Sequence, residues 1–193
     1  MLNEAAVRDS LRREILTESA NANAVYEFWV PRTNERADVV RIGEALEGFE
    51  IKTERDRLDR LPRQALAYAR VFDRCHAVIA HRHVDRAIAL LPPWWGIRVI
   101  EANEEVTFSC LREAGSNCAV DAETLVRLLW REEASAALGE LGVPPDPYAR
   151  RGRMWQSLLS LLDLDELKTV VREALLRRDP AAARIPSRRF VAS

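Results

Sequence analysis

Apolar residues recur at helical spacing from residue 4 to 20, where Ala5 or Ala6, Leu11, Ile15 and Leu16 share one face and Arg and Glu fill the other. The period then changes. Ala24-Val25-Tyr26-Glu27-Phe28-Trp29-Val30 is rich in β-branched and aromatic residues and predicts a strand, which Pro31 and the polar run Arg32 to Glu35 end. Ala37 to Ile42 predicts a second strand, Gly43-Glu44 a hairpin turn, and the residues up to about Thr53 a third strand, with Gly48 read as a bulge. From Leu58 to Phe72 the helical period returns, carried by Leu58, Leu61, Ala65, Ala69 and Phe72. Ala77 to Ala80 reads as a strand buried on both faces. A short helix over 84–90 stops at Pro92-Pro93, and strands follow at Ile97 to Ile100 and Val106 to Leu111. Helix, three strands, helix, strand, short helix and strand describe an α/β domain with a mixed sheet.

After Asn117 the pattern is helical only. Asp121 is placed to cap a helix through about Leu138, Pro144, Pro145 and Pro147 form a linker, and residues 150–177 read as two helices broken near Leu162-Asp163. The chain therefore divides into an α/β domain over 1–118, an all-α C-terminal extension over 119–179, and a loose Ala-, Arg- and Pro-rich tail over 180–193.

Composition narrows the class. With 48% hydrophobic and 31% charged residues, the chain reads as soluble and globular. No apolar run is long enough for a bilayer, and the acid-containing start lacks the basic and apolar parts of a signal peptide, which predicts a cytoplasmic protein without a membrane partner. Cys75, Cys110 and Cys118 read as reduced thiols. The net charge of −1 hides an asymmetry: ten Lys or Arg and five Asp or Glu lie between Tyr148 and Arg189, a local +5 against −6 elsewhere. A basic arm of this kind holds a polyanion or is a solvated helical face.

The chemistry concentrates between Asp38 and Lys52. Glu50 and Lys52 lie two apart on a strand and share a face, while Ile51 points into core. The hairpin brings Asp38 alongside. Two carboxylates and an ammonium at one sheet edge suit Mg²⁺ (or Mn²⁺), which binds through one or two carboxylates plus water and phosphate. Such a cation polarises a phosphodiester, and the lysine positions or deprotonates a water and offsets charge in the transition state. The competing reading is a surface Glu-Lys pair beside an unrelated Asp.

Asp38 followed by Glu50-Ile51-Lys52 resembles the PD-(D/E)xK phosphodiesterase superfamily, although Ala37 stands where many members have proline. The further run of Arg36-Ala37-Asp38, Gly48-Phe49-Glu50-Ile51-Lys52, Asp56, Leu58, Arg60-Leu61, Gln64, Tyr68, Phe72-Asp73-Arg74 and Pro93-Trp94-Trp95-Gly96-Ile97 resembles small bacterial proteins of the MmcB-like DNA-repair type and a related uncharacterised bacterial group. Leu129-Trp130-Arg131 resembles that group's C-terminal helix. The resemblance implies a restriction-endonuclease-like mixed sheet flanked by helices. It implies metal ligation by Asp38, Glu50 and the Ile51 carbonyl, catalysis by these acids with Lys52, and a third acid on the first strand, Glu27. Glu14 and Glu18 are rival acids. Gln64 and Tyr68, with Arg60 a turn earlier, resemble the Q-x-x-x-Y element whose helix contacts nucleic acid in RecB-type nucleases.

Glu54 and Asp56 read as site-tuning groups or as partners for Arg60. Cys75, His76, His81 and His83 lack the paired spacing of structural zinc sites. Trp94-Trp95 reads as a core closure rather than a base-stacking platform. Arg150, Arg151 and Arg153 open a basic helix whose layout resembles a SAP-like DNA-binding hairpin, while Leu158, Leu161, Leu167 and Val171 fit a helical bundle that caps the sheet or makes a homodimer. The expectation is a Mg²⁺-dependent nuclease acting on nucleic acid, on DNA rather than RNA, in repair or defence. The alternatives are a non-catalytic nucleic-acid-binding module and a partner-docking scaffold.

Overall fold

The computed structural model describes residues 3–18, 21–102 and 104–178. The tail expectation for 180–193 lies outside these residues. Helix α1 (Glu4–Glu18) is followed by strands β1 (Asn23–Trp29), β2 (Arg36–Ile42) and β3 (Leu46–Lys52). Then come α2 (Leu61–Tyr68), β4 (Arg74–Ile79), α3 (Val84–Leu90), β5 (Gly96–Ala102) and β6 (Val106–Arg112). The remainder is helical: α4 (Ala122–Leu125), a short 3₁₀ turn, α5 (Arg131–Glu140), α6 (Arg151–Leu161) and α7 (Leu164–Arg177).

The six strands form one mixed sheet in chain order. β1, β2 and β3 are an antiparallel meander; β3, β4 and β5 run parallel; β6 turns back antiparallel on β5. Parallel neighbours need crossovers, and α2 and α3 supply them. Ala87 of α3 shares a core with Leu61, Ala65 and Tyr68 of α2, so both crossovers cover one face. Among the described residues α1 is the helix that covers the other face, and its Val7, Leu11 and Ile15 pack on Val39, Phe49, Ile51, Val78 and Ile100. The architecture is a mixed sheet flanked by helices with a helical C-terminal part.

That C-terminal part is not a separate body. Leu125, Leu129, Trp155, Leu158, Leu167, Val171 and Leu175 join the same core as Val40, Leu46 and Phe72 of the sheet side. Polar ties reinforce the contact. Asn117 donates to the Ala69 and Phe72 carbonyls at 2.7 and 2.8 Å, and Lys168 pairs with Asp73 at 3.1 Å.

Two local expectations change. Gly48 is not a bulge: it pairs with Val40 in an unbroken register. A Cβ there would stand 2.6 Å from the Phe72 ring, so close packing of α2's trailing loop requires glycine. The single helix from Asp121 to Leu138 is two. Asp121 does cap α4, accepting from the Glu123 amide at 3.2 Å. The chain then becomes extended at Leu129, which is buried, and restarts at Arg131, where Glu133 accepts from the Trp130 amide at 2.7 Å.

Candidate active site

The site lies where β2 and β3 part. Their ladder runs from Ile42↔Leu46 to Val39↔Phe49 and stops; one step further, Asp38 would face Glu50. In place of the next backbone bond, the Asp38 carboxylate accepts from the Ile51 amide at 2.7 Å. A side chain thus closes the ladder, and the strands open toward α2. Glu50 and Lys52 share the α2 face, whereas Phe49 and Ile51 face α1.

Glu50 is almost completely buried. A buried carboxylate needs donors, and it has three: the Lys52 ammonium, the Gln64 amide at 2.5 Å and the Tyr68 hydroxyl. Tyr68 also lies 2.8 Å from the Arg36 carbonyl. Its ring stacks on Trp95 and meets Phe72 edge-on, so the donor is fixed from behind by aromatics. Burial, then the Glu50 charge, push the Tyr68 phenol well above its ordinary value, so it remains a donor. Asp38 is only half-buried. Burial and the neighbouring Glu50 nevertheless raise its carboxyl to about 7, against the opposing pull of the Ile51 amide and Lys52.

Asp38, Glu50, Lys52, Gln64 and Tyr68 therefore converge as one constellation. Gln64 and Tyr68 are buried: the Gln64 amide N–H donates to Glu50, and the Tyr68 hydroxyl faces Glu50 and the Arg36 carbonyl. Arg60 is exposed and pairs with Glu35 at 2.8 Å, a carboxylate that Arg63 also holds at 2.6 Å. Sequence reasoning passed over Glu35, which is buried in the β1–β2 turn. Asp56 does not bind Arg60; its carboxylate accepts from the Thr53 amide and hydroxyl at 2.7 and 2.6 Å, pinning the chain after Lys52.

Glu27 stands opposite Asp38 in the β1–β2 register, but that pair is missing from the ladder. Its φ of 53° is in the left-handed region, rare for a residue with a Cβ. The twist sends its carboxylate to Arg8 of α1 at 3.2 Å and to Arg36 at 3.0 Å. Glu14 and Glu18 are also bound away from the site, to Arg98 and Arg41. The acid of α1 whose charge does reach Asp38 is Glu4 in the first turn, which the sequence pattern did not single out. Arg150, Arg151 and Arg153 open α6, and Arg151 lies over the Trp155 ring at 4.7 Å.

The histidine cluster separates. Cys75 belongs to the core on the α2 side, while its neighbour His76 stacks on Phe49 on the α1 side and hydrogen-bonds Glu47 at 2.9 Å. Burial would raise the Glu47 carboxyl, but His76 and Arg41 outweigh it and hold it at about 2. Burial lowers His76 despite Glu47, so the ring is neutral and donates through Nε2. His83 is buried against the Thr53 carbonyl at 3.1 Å. Trp95 is fully buried, as a core closure requires.

Two observations bear on a divalent cation. Among the described residues no group of three or more His, Cys, Asp or Glu is placed to hold one. The acidic set is a pair, which Mg²⁺ accepts when water and phosphate complete the shell. In addition, the buried Gln64 Oε1 has no partner. The amide cannot reverse to satisfy it, because the oxygen would then face Glu50. An acceptor without a partner among the described residues, on the side chain that also holds Glu50, adds an oxygen to the carboxylate pair, a set that fits a hydrated hard cation.

A family model described as "Bacteriophage P4 protein cII" matches residues 3–184 of this chain. A glutamyl-tRNA reductase of Pelotomaculum thermopropionicum is 28% identical over 116 residues, covering 55% of this chain and 25% of that protein. The chain thus spans about a quarter of that relative's length. No solved structure matches. Among the described residues no helix is long and apolar enough to cross a membrane.

Proposed function

The chain belongs to the bacteriophage P4 cII protein family, and we propose that it is a Mg²⁺-dependent nucleic-acid phosphodiesterase of the PD-(D/E)xK type, acting on DNA. The observation that carries this reading is the opening of β2 from β3 at Asp38, which brings Asp38, Glu50 and Lys52 to one face with α2 behind them. The mixed sheet flanked by helices agrees with the architecture that the resemblance implies.

Asp38 and Glu50, with the Ile51 carbonyl, would hold the cation, which when bound supplies Lewis-acid polarisation of the phosphodiester. The protein's own groups do the rest. Lys52 brings a positive charge to the side of Glu50, where it orients water and stabilises negative charge developing on the phosphate. Gln64 and Tyr68 fix the Glu50 carboxylate so that its free lone pairs keep one direction. Glu27, Arg8 and Arg36 brace the strand opposite Asp38.

Cleavage of labelled single-stranded, flapped and branched DNA with Mg²⁺ or Mn²⁺ tests the reading. Asp38→Asn, Glu50→Gln and Lys52→Ala should each lower the rate by about a hundredfold or more while the melting transition stays cooperative. Unchanged cleavage in Asp38→Asn and Lys52→Ala would sink the assignment. One observation favours a second reading, a nucleic-acid-binding module without turnover. Glu50 already accepts three hydrogen bonds and Asp38 a fourth group's amide, which leaves few lone pairs for a metal. Salt-sensitive DNA binding that is indifferent to metal would select it.

A further inference from the structure

We propose that the cleft beside the C-terminal ends of β3 and β4 is a phosphate subsite that receives a backbone phosphate of the nucleic acid flanking the one held at Asp38 and Glu50. The proposal rests on the nucleic-acid reading of that adjoining site. The cleft holds about 330 Å³ and is lined by Asp56, Arg57, Leu58, Arg82, His83 and Arg86. One wall adjoins the end of β3: the ring of the lining residue His83 meets the Thr53 carbonyl, one residue beyond Lys52, at 3.1 Å, and the Ala80 amide bonds the Lys52 carbonyl at 2.8 Å. In sheets with parallel strands, ligands gather outside the carboxyl ends of those strands.

The charge in the cleft favours an anion. Three guanidinium groups enter it, all exposed, and the nearby carboxylates do not saturate them. Arg57 and Arg86 share a single carboxylate, Asp59, at 2.7 and 3.0 Å. Arg82 is held loosely, 3.3 Å from both Glu54 and the Asp56 carbonyl. The one carboxylate in the lining, Asp56, has the oxygen nearest the turn occupied by Thr53. Guanidinium forks with spare N–H groups around a concave surface match phosphate oxygens. The pinned turn at Thr53–Asp56 keeps this cleft at a fixed offset from Lys52, so a strand engaged in the cleft is carried past the acidic pair.

The test is DNA binding by the full chain, with cleavage measured separately. Binding of a fluorescein-labelled duplex and its single strand is followed by anisotropy in EDTA across a salt series. Arg57→Gln/Arg86→Gln should weaken binding about tenfold at moderate salt and lower the salt slope by about one, the loss of one phosphate contact. Arg82→Gln should weaken binding and lower the slope by a fraction of that amount. Asp59→Asn, which frees both Arg57 and Arg86, should tighten binding. Affinity and slope that do not move in the double variant, or wild-type protein that binds neither DNA, would overturn the subsite. Arginine-dependent binding without metal-dependent cleavage would uphold the subsite and remove the nuclease reading. Cleavage that needs Asp38 but ignores the arginines would do the reverse.

Discussion

At the scale of single residues, Asp38 carries two opposed demands. It caps the Ile51 amide, which favours the carboxylate, and it sits partly buried beside Glu50, which opposes it. The result is a carboxyl raised from 3.8 to about 7. The folded protein therefore binds a proton more tightly than the unfolded chain. Its stability falls as pH rises from the unfolded value through about 7, and levels off above that. In metal-free buffer Asp38→Asn, which keeps an acceptor for Ile51, should be more stable than wild type at pH 8 by about 4 kcal/mol and close to wild type at pH 4. Urea titrations at the two pH values measure this; equal stabilities at both would remove the shifted group. Lys52 was readable as Glu50's companion from spacing alone, because a period of two fixes a strand face. The true partners of Glu27 were not readable, because its left-handed backbone breaks that period.

At the scale of elements, every helix and strand predicted over 4–112 is present, and most bounds differ by a few residues. Periodicity supplied these because one face of each element meets core. It failed where packing rather than period decides. Gly48 looked like a flaw in β3; only the Phe72 ring above it explains the missing side chain. Gly48→Ala should cost about 1–3 kcal/mol in a thermal or urea melt, and trimming the ring in Gly48→Ala/Phe72→Leu should recover part of the loss relative to Phe72→Leu alone. A strictly additive double variant would contradict the contact. Helix α2 shows the same limit from the other side. Its Gln64 and Tyr68 were legible as a pair on one face, but not that the face turns inward to Glu50, because polar residues at such spacing ordinarily mark a solvated side.

At the scale of the whole molecule, the change of period after Asn117 marks where the helical extension begins, and one core runs across that point. The far end is tied in by Arg178. It is buried, pairs with Glu133 at 2.6 Å, donates to the Leu128 carbonyl at 2.6 Å and lies 4.1 Å from the centre of the Trp130 ring. Removing the buried arginine strands the half-buried Glu133 carboxylate. Arg178→Ala should lower stability by about 3 kcal/mol in a single unfolding transition seen by both circular dichroism and tryptophan fluorescence. Two separate transitions would instead indicate an independent helical unit. The shared core also explains why the extension accompanies the site: α7 packs against α4 and β2, and β2 is the strand that carries Asp38.

The bond from the Ile51 amide to Asp38 has a spectroscopic consequence. The proton of that amide is a built-in reporter, because its resonance position follows the charge on the oxygen it touches. In a ¹⁵N-edited spectrum it should move with a midpoint near 7 as Asp38 loses its proton, downfield as the carboxylate forms. Addition of Mg²⁺ at low pH should displace the midpoint downward, while Asp38→Asn should leave the resonance still throughout. A single backbone nucleus would thus register protonation and cation arrival in one titration, with no substrate needed.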